Sequence, residues 1–501
     1  MNPKTLVALL GQGEAGAPAI IVPGSITISY DQLRNQVDVA ANQLAGFGLG
    51  RTDSIALVLP NSAESIVVFL AAATAGVAAP LNSAYKLEEF RFYLGDTGAR
   101  ALVVPANDVE AARMALSDHA ILIEASMDAR GRLTLQCDRA LGSAEPRSPG
   151  VPAEDDVALV LHTSGTTSRP KLVPLRQRNL AYSASNIGKT YNLTPDDVAL
   201  CVMPLFHIHG LMASTMATFA TGGTVVVPRG GFDAMTFWQA ADAHRVTWYS
   251  AAPTIHQMLL LRHRGGRPPG ARSMRFIRSS SSALAPDVMR ELESRFGAPV
   301  IEAYGMTEAS HQMASNPLPP GERRPGTVGV QTGIDIAVMD DAGSLVSPGE
   351  RGEVVIRGTS VIDGYANNPE ANAKSFTAGW FRTGDQGTID SDGYLSLIGR
   401  LKEMINRGGE KIAPREIDDV LLQHPAVAEA VAFGLPHPSW GEEVAAAVVL
   451  KSKASENELT AFARERLADY KVPRKLFIVD TIPRTATGKI QRRAVAESVT
   501  R

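Results

Sequence analysis

The chain has 501 residues, 45% of them hydrophobic and 20% charged, with 44 Gly and 31 Pro; this globular composition excludes a disordered, collagen-like or coiled-coil protein. Forty-nine Lys and Arg against 52 Asp and Glu leave a net charge of −3, so no global basic field gathers nucleic acid or anionic lipid, and any polyanion is met locally. Two cysteines, Cys137 and Cys201, cannot build a disulfide framework or a four-thiolate zinc site, and their scarcity fits a reducing compartment.

At about 150 residues per domain the length allows about three domain-sized units, or one large multi-lobed domain with a smaller partner. The first ten residues carry Lys4 and a short apolar run without an export signal, and the last four show neither a peroxisomal ending nor a lipidation cysteine, so the expected location is the cytoplasm. Residues 65–85 carry no charge, yet Gly76 and Pro80 interrupt them, which predicts a buried helix followed by a strand and no membrane span. Between 26 and 104, helix-period segments alternate with apolar runs such as 54–59 and 101–104, the rhythm of helices crossing over a mainly parallel sheet. The rhythm resumes at 157–162, 198–203, 224–228, 246–251, 276–279 and 300–304, most runs ending in Ser, Thr, Gly, Pro or His. Ligands collect outside the carboxyl ends of such strands. From 326 to 397, turn strings such as Asp340-Asp341-Ala342-Gly343 and Asp392-Gly393 separate β-branched segments, as in a small antiparallel subdomain. An αβ-patterned piece of about a hundred residues follows, with seven Lys or Arg against one acid over 471–493.

The string Thr163-Ser164-Gly165-Thr166-Thr167-Ser168-Arg169-Pro170-Lys171 directly follows an apolar run. Its hydroxyls, its backbone amides and a glycine that permits close approach suit phosphate oxygens, and Lys171 adds positive charge. It is not the loop of P-loop enzymes, whose lysine follows a glycine and precedes Ser or Thr; read as a bare string it also fits a solvated linker.

This loop resembles the signature of the adenylate-forming enzymes, the superfamily of acyl-CoA synthetases, adenylation domains and luciferase. Five further strings resemble its remaining motifs in order: Pro204-Leu205-Phe206-His207-Ile208-His209-Gly210; Tyr304-Gly305-Met306-Thr307-Glu308; Phe381-Arg382-Thr383-Gly384-Asp385; Gly399-Arg400-Leu401-Lys402-Glu403 with Arg407-Gly408-Gly409-Glu410-Lys411; and Pro483-Arg484-Thr485-Ala486-Thr487-Gly488-Lys489. Ser168 departs from the pattern, where a glycine is common. The resemblance implies an α/β fold with a large multi-lobed N-terminal domain, residues 1–400, whose sheets are flanked by helices and which carries a β subdomain over 326–398. A small mobile α+β C-terminal domain, residues 401–501, follows, with its hinge at Lys402.

The implied reaction joins a carboxylate to ATP and then to coenzyme A, with Mg2+ at the phosphates. By resemblance Glu308 holds the metal, Thr307 and Lys171 contact phosphate together with Thr163, Ser164, Gly165, Thr166 and Thr167, and Tyr304 stacks on adenine. Ser282, Ala303, Gly305 and Met306 complete the nucleotide contacts, Asp385 grips the ribose hydroxyls, and Arg400 helps hold the nucleotide. Lys489 bridges carboxylate and ATP during adenylation, then leaves as the small domain rotates about Lys402 and brings Gly408 and Gly409 towards the pantetheine arm. Taken singly, Glu308 reads more often as a helix-start carboxylate and Asp385 as only a turn residue, and Tyr304 also fits an ordinary core tyrosine.

His207 and His209, two apart, suit one face of a strand, but no third ligand is evident for a metal; by resemblance His207 shapes the acyl end and His209 is structural. The string from Phe276 to Leu284 and the one from Tyr304 to Met313 most resemble oxalate-CoA ligases, which implies that Ser281 and His311 bind a second carboxylate. The alternatives from the residues are a turn serine and a surface histidine. Three readings therefore stand: a CoA ligase for oxalate or a similarly small diacid, a CoA ligase for aromatic (coumarate-like) or medium-chain acids, and a non-catalytic nucleotide-binding protein, the last disfavoured by the presence of Lys489 and Glu308. The expected partners are a small carboxylic acid, ATP and CoA, with no nucleic acid, membrane or obligate protein partner, and no carrier segment follows residue 501.

Overall fold

The computed structural model describes every residue except 1, 2, 144, 146, 164–169, 264, 486–489 and 501. It has the mixed α/β architecture expected and divides into two compact units, Met1–Asp335 with Arg357–Phe376, and Ile336–Ile356 with Thr377–Arg501. Most strands of the expected β subdomain thus cluster with the C-terminal residues.

The first unit holds two large sheets. In the seven-stranded one, Ile121–Met127, Ala99–Pro105, Ser54–Leu57, Val77–Pro80 and Val157–Thr163 run parallel, with Leu133–Cys137 and Lys171–Arg176 antiparallel at the edges. Helix Ala63–Ala75 starts on a Ser62–Ser65 capping box and buries every residue but Glu64. The chain then turns at Gly76 into strand Val77–Pro80, so the uncharged stretch is a core helix and a strand, as its glycine and proline predict. Among the described residues no helix is long and apolar enough to cross a membrane.

In the nine-stranded sheet, Pro18–Val22, Thr224–Val226, Val198–Leu200, Trp248–Ala251, Phe276–Ser279 and Val300–Met306 form a parallel run. Ile26–Ser29 pairs antiparallel at one end, and His311–Ser315 with Val330–Gln331 at the other. Successive strand residues face opposite sides. Tyr249, Ala251 and Ile277 enter one core with Leu284, Leu292 and Phe296, while Trp248 and Phe276 stack 5.2 Å apart with Tyr191 beyond. The same alternation puts Ser250 beside Arg278 as register partners.

The expectation that residues 198–203 form one strand and that His207 and His209 share a strand face needs correction. The strand ends at Leu200, and a turn leads into a π-helix, His209–Met216, all of whose residues are buried. Gly210 lies there so close to Pro204 that an added Cβ would sit 2.3 Å from its carbonyl oxygen, contact that holds the chain in a turn.

The second unit contains two five-stranded sheets. One pairs Gly352–Arg357, Trp380–Ile389 and Leu395–Arg400 antiparallel; the other joins Ile405–Arg407, Glu410–Ile412, Val427–His437, Gly441–Leu450 and Lys475–Ile478. Ile405, Ile417, Leu421, Val444 and Leu459 centre the core between the second sheet and helices Pro414–Leu422 and Glu456–Arg464.

Candidate active site

Thr163 and Lys171, the ends of the hydroxyl-rich loop, are register partners on the antiparallel strands that flank it. Ser164, Gly165, Thr166 and Thr167 lie outside the described residues, so the structure gives the loop's base. Lys171 Nζ stands 4.2 Å from the centroid of the Tyr365 ring, and the Tyr365 hydroxyl donates to Glu308 Oε1 at 2.9 Å. Thr307 and Glu308 follow strand Val300–Met306 in one turn of 3-10 helix and are buried. The loop lysine and the metal-holding candidate therefore meet at one phenol. Sequence reasoning missed Tyr365, since a tyrosine after Gly364 carries no chemical signature until Ile362 N donates to Glu308 O at 2.9 Å and brings that segment alongside.

Tyr304 and Ala303 are buried near the end of the same strand, with Gly305 and Met306 half-buried and Ser282 exposed. A Cβ on Gly305 would fall 2.0 Å from the His311 carbonyl oxygen, so only glycine lets the return strand come this close. That approach forces Ser310 and His311 to φ of 53° and 106°, a conformation costing of order 1–3 kcal/mol per residue and typical of functional sites.

The strain delivers His311 into a polar cluster. It is 3% exposed, and its ring stacks on His209 with centroids 4.9 Å apart; its Nε2 is buried without a hydrogen-bond partner among the described residues. His209 Nδ1 lies 2.8 Å from Ser281 Oγ and its Nε2 2.7 Å from Ser250 Oγ. Half-buried Ser281 has φ 75°, and His207 Nδ1 accepts the backbone N–H of His209 at 3.2 Å. Burial first, then His311 and the Arg278 charge, hold His209 well below the usual imidazole range; burial, then Arg278 and His207, do the same for His311. Both rings are neutral at pH 7. His311 is thus buried rather than at the surface, and His209, expected to be structural, is the hub that Ser281 and His311 share.

In the second unit Asp385 and Arg400 are register partners, 3.1 Å apart between Oδ1 and Nε. Gly384, at φ 76°, lies inside strand Trp380–Ile389 where its pairing with Gly352–Arg357 shifts register; its N–H donates to Glu353 at 2.8 Å, and Asp385 N–H donates to Thr383 Oγ1 at 3.1 Å. Lys402 is exposed in the 3-10 turn Leu401–Glu403, and the neighbouring Glu403 takes Arg492 Nε at 3.2 Å. Gly408 and Gly409, at φ 62° and 95°, form the two-residue turn between paired Arg407 and Glu410, a conformation that both central residues enter only with positive φ. Lys489 lies outside the described residues; Arg484 and Ile490 form an antiparallel bridge on either side of its segment.

These motifs coincide with family-wide similarity. The family model of AMP-binding enzymes matches residues 11–366, and that of the AMP-binding enzyme C-terminal domain matches 416–489. The chain belongs to the AMP-binding enzyme family. This AMP-binding enzyme is 48% identical to a probable CoA ligase, CCL9, of Humulus lupulus, over 99% of this chain and 97% of that one. It is 45% identical to an oxalate-CoA ligase of Arabidopsis thaliana, over 99% of each. The ATP-bound crystal structure of MatB from Rhodopseudomonas palustris superposes with a TM-score of 0.90 at 31% identity, again over 99% of each chain.

Proposed function

We propose that this AMP-binding enzyme is an oxalate-CoA ligase, which joins oxalate to ATP as oxalyl-adenylate with release of pyrophosphate and then transfers the oxalyl group to the thiol of coenzyme A with release of AMP. Acyl-CoA ligase activity of the adenylate-forming type is supported by both family matches and by the full-length similarity to CoA ligases. The choice of acid rests on one observation: the cluster of Ser281, His209 and His311 is polar, its imidazoles are neutral, and one of their nitrogens, His311 Nε2, is left unpartnered. An apolar acyl chain would leave the His311 nitrogen and the Ser281 hydroxyl unsatisfied at a cost of ~1–3 kcal/mol each, whereas a second carboxylate accepts from them. The oxalate-CoA ligase among the relatives supports the same acid.

In this reading His207 stands at the reacting carboxylate and Ser281 with His311 at the distal one. Thr163, Lys171, Thr307 and the residues between Thr163 and Lys171 surround the phosphates, where Lys489 joins them to neutralise the charge that builds as the carboxylate oxygen attacks the α-phosphorus. Tyr304 lies against adenine, lined by Ser282, Ala303, Gly305 and Met306, while Asp385 accepts from the ribose hydroxyls beside Arg400. Glu308, a single buried carboxylate fixed by Tyr365, fits Mg2+, an ion held by one or two carboxylates with phosphate oxygens and water. When bound, the ion offsets phosphate charge. Lys402 is the pivot between residues 1–400 and 401–501, and Gly408 with Gly409 leaves room for pantetheine.

The test is a panel of oxalate, malonate, short monoacids, coumarate and medium-chain acids in a pyrophosphate-release assay with and without CoA. Oxalate should give the highest kcat/KM and yield oxalyl-CoA. Preference for an aromatic or medium-chain acid would replace the oxalate reading with that alternative.

A further inference from the structure

We infer that Ser250 and Arg278 are positioning residues that fix which way the hydrogen bonds of the acyl pocket run, turning the Ser281 hydroxyl outward as a donor to an anionic acid. The inference rests on the reading above that Ser281 faces the distal carboxylate.

Arg278 is wholly buried in the middle of the nine-stranded sheet. Its Nε donates to the Tyr191 hydroxyl at 2.9 Å, Nη1 to Ser250 Oγ at 2.8 Å and Nη2 to Gln312 Oε1 at 3.1 Å. All three partners are neutral, and among the described residues none of its partners is a carboxylate. A buried guanidinium so placed is an electrostatic cost to the fold, retained where its charge has a use.

The direction of each bond follows from it. A guanidinium only donates, so Ser250 Oγ accepts from Arg278. Ser250 is wholly buried, and among the described residues its remaining hydrogen-bond neighbour is His209 Nε2 at 2.7 Å, so its own proton goes there; with the opposite polarity that proton would be buried without an acceptor. His209 Nε2 is then the acceptor, and a neutral imidazole carries its hydrogen on Nδ1. Nδ1–H donates to Ser281 Oγ at 2.8 Å. Ser281, its lone pair engaged from behind, has its O–H left to give, and as the half-buried member of the chain with φ 75° it gives it to what enters the pocket. The charge of Arg278 is thus conveyed to the substrate as donor polarity over two intermediate side chains, each bond polarising the next.

Two measurements test this. In wild-type enzyme labelled with 15N-histidine, the His209 ring nitrogens should report protonated Nδ1 and bare Nε2; protonated Nε2 overturns the inference. This reading needs no acid substrate, so it stands or falls separately from the choice of oxalate. In steady-state kinetics, Ser250→Ala should raise the KM for oxalate about tenfold, the loss of one charge-assisted hydrogen bond, with kcat and the KM for ATP near wild type, and Ser250→Thr should restore it. Ser281→Ala combined with Ser250→Ala should be no worse than Ser281→Ala alone, because Ser250 acts through Ser281. Multiplying losses in the double variant would overturn the relay.

Discussion

Asp385 and Arg400 oppose each other directly on neighbouring antiparallel strands, the Arg400 Nε 3.1 Å from Asp385 Oδ1. The ion pair orients the carboxylate that the proposed function sets against the nucleotide ribose. Asp385→Asn keeps the shape and removes the charge. It should raise the KM for ATP by about tenfold to a hundredfold, the worth of a hydrogen bond to a charged group, with the KM for oxalate little altered, as initial rates at varied ATP will show. An unchanged KM for ATP removes Asp385 from the ribose site.

Lys489→Ala should slow acid-dependent pyrophosphate release by at least ~10²- to 10³-fold, as expected for one lost transition-state donor. Thioester formation from supplied oxalyl-adenylate should be largely spared. Equal losses in the two half-reactions contradict the role.

Lys402→Pro fixes φ at the proposed pivot and removes a backbone donor. If the two half-reactions use two arrangements about this residue, pyrophosphate release should persist while oxalyl-CoA production drops. Wild-type rates for both place the hinge elsewhere.

In the proposed reading the acid meets His311 Nε2, which is buried and has no hydrogen-bond partner among the described residues. His311→Ala should raise the KM for oxalate about tenfold or more and leave or improve any weak activity on a short apolar monoacid, which makes no such contact. The quantity to compare is the ratio of kcat/KM for the two acids before and after substitution; a constant ratio argues against the diacid pocket.

Acid should weaken the first unit through its buried histidines. Burial holds His256 down to about 3, and His209 and His311 are also well below the ordinary value. Unfolded imidazoles take protons below about pH 6.5 while these three do not, so the unfolded state binds more protons and stability rises with pH. Their contribution is full above pH 6.5 and fades as pH falls below it, by up to about 1.4 kcal/mol per pH unit for each. Asp418 and Asp419, pushed up by burial in the other unit, act with the opposite sign. Apparent Tm measured from pH 7.5 to 4.5 should therefore fall less steeply in His256→Asn than in wild type; parallel curves exclude His256 as a source of the loss.

The parts legible in the sequence were those written in local chemistry. The apolar run 276–279 is strand Phe276–Ser279, and the uncharged stretch after Ala63 is a core helix and a strand. The paired glycines at 408 and 409 form the turn that their shared freedom of φ permits. What stayed hidden depends on neighbours distant in sequence. Arg278 reads as one polar residue in a β run, and only register with Ser250 and contact with Gln312 show it as a buried charge. Tyr365 gains meaning from Glu308, 57 residues away. The histidine pair misled because alternation implies a strand, whereas a π-helix has no residue pattern of its own.

That π-helix, His209–Met216, begins at the hub of the histidine and serine cluster. A wide turn holds a surplus residue, and losing one between 210 and 216 would let the backbone relax to the commoner 3.6-residue turn. The shorter segment would be better bonded, yet each residue lost swings what precedes it by about 100° about the axis, carrying the imidazole of His209 away from Ser250 and Ser281. Shortening this helix by one residue would thus unseat His209 from both serines and, on the proposed reading, loosen the choice among acids.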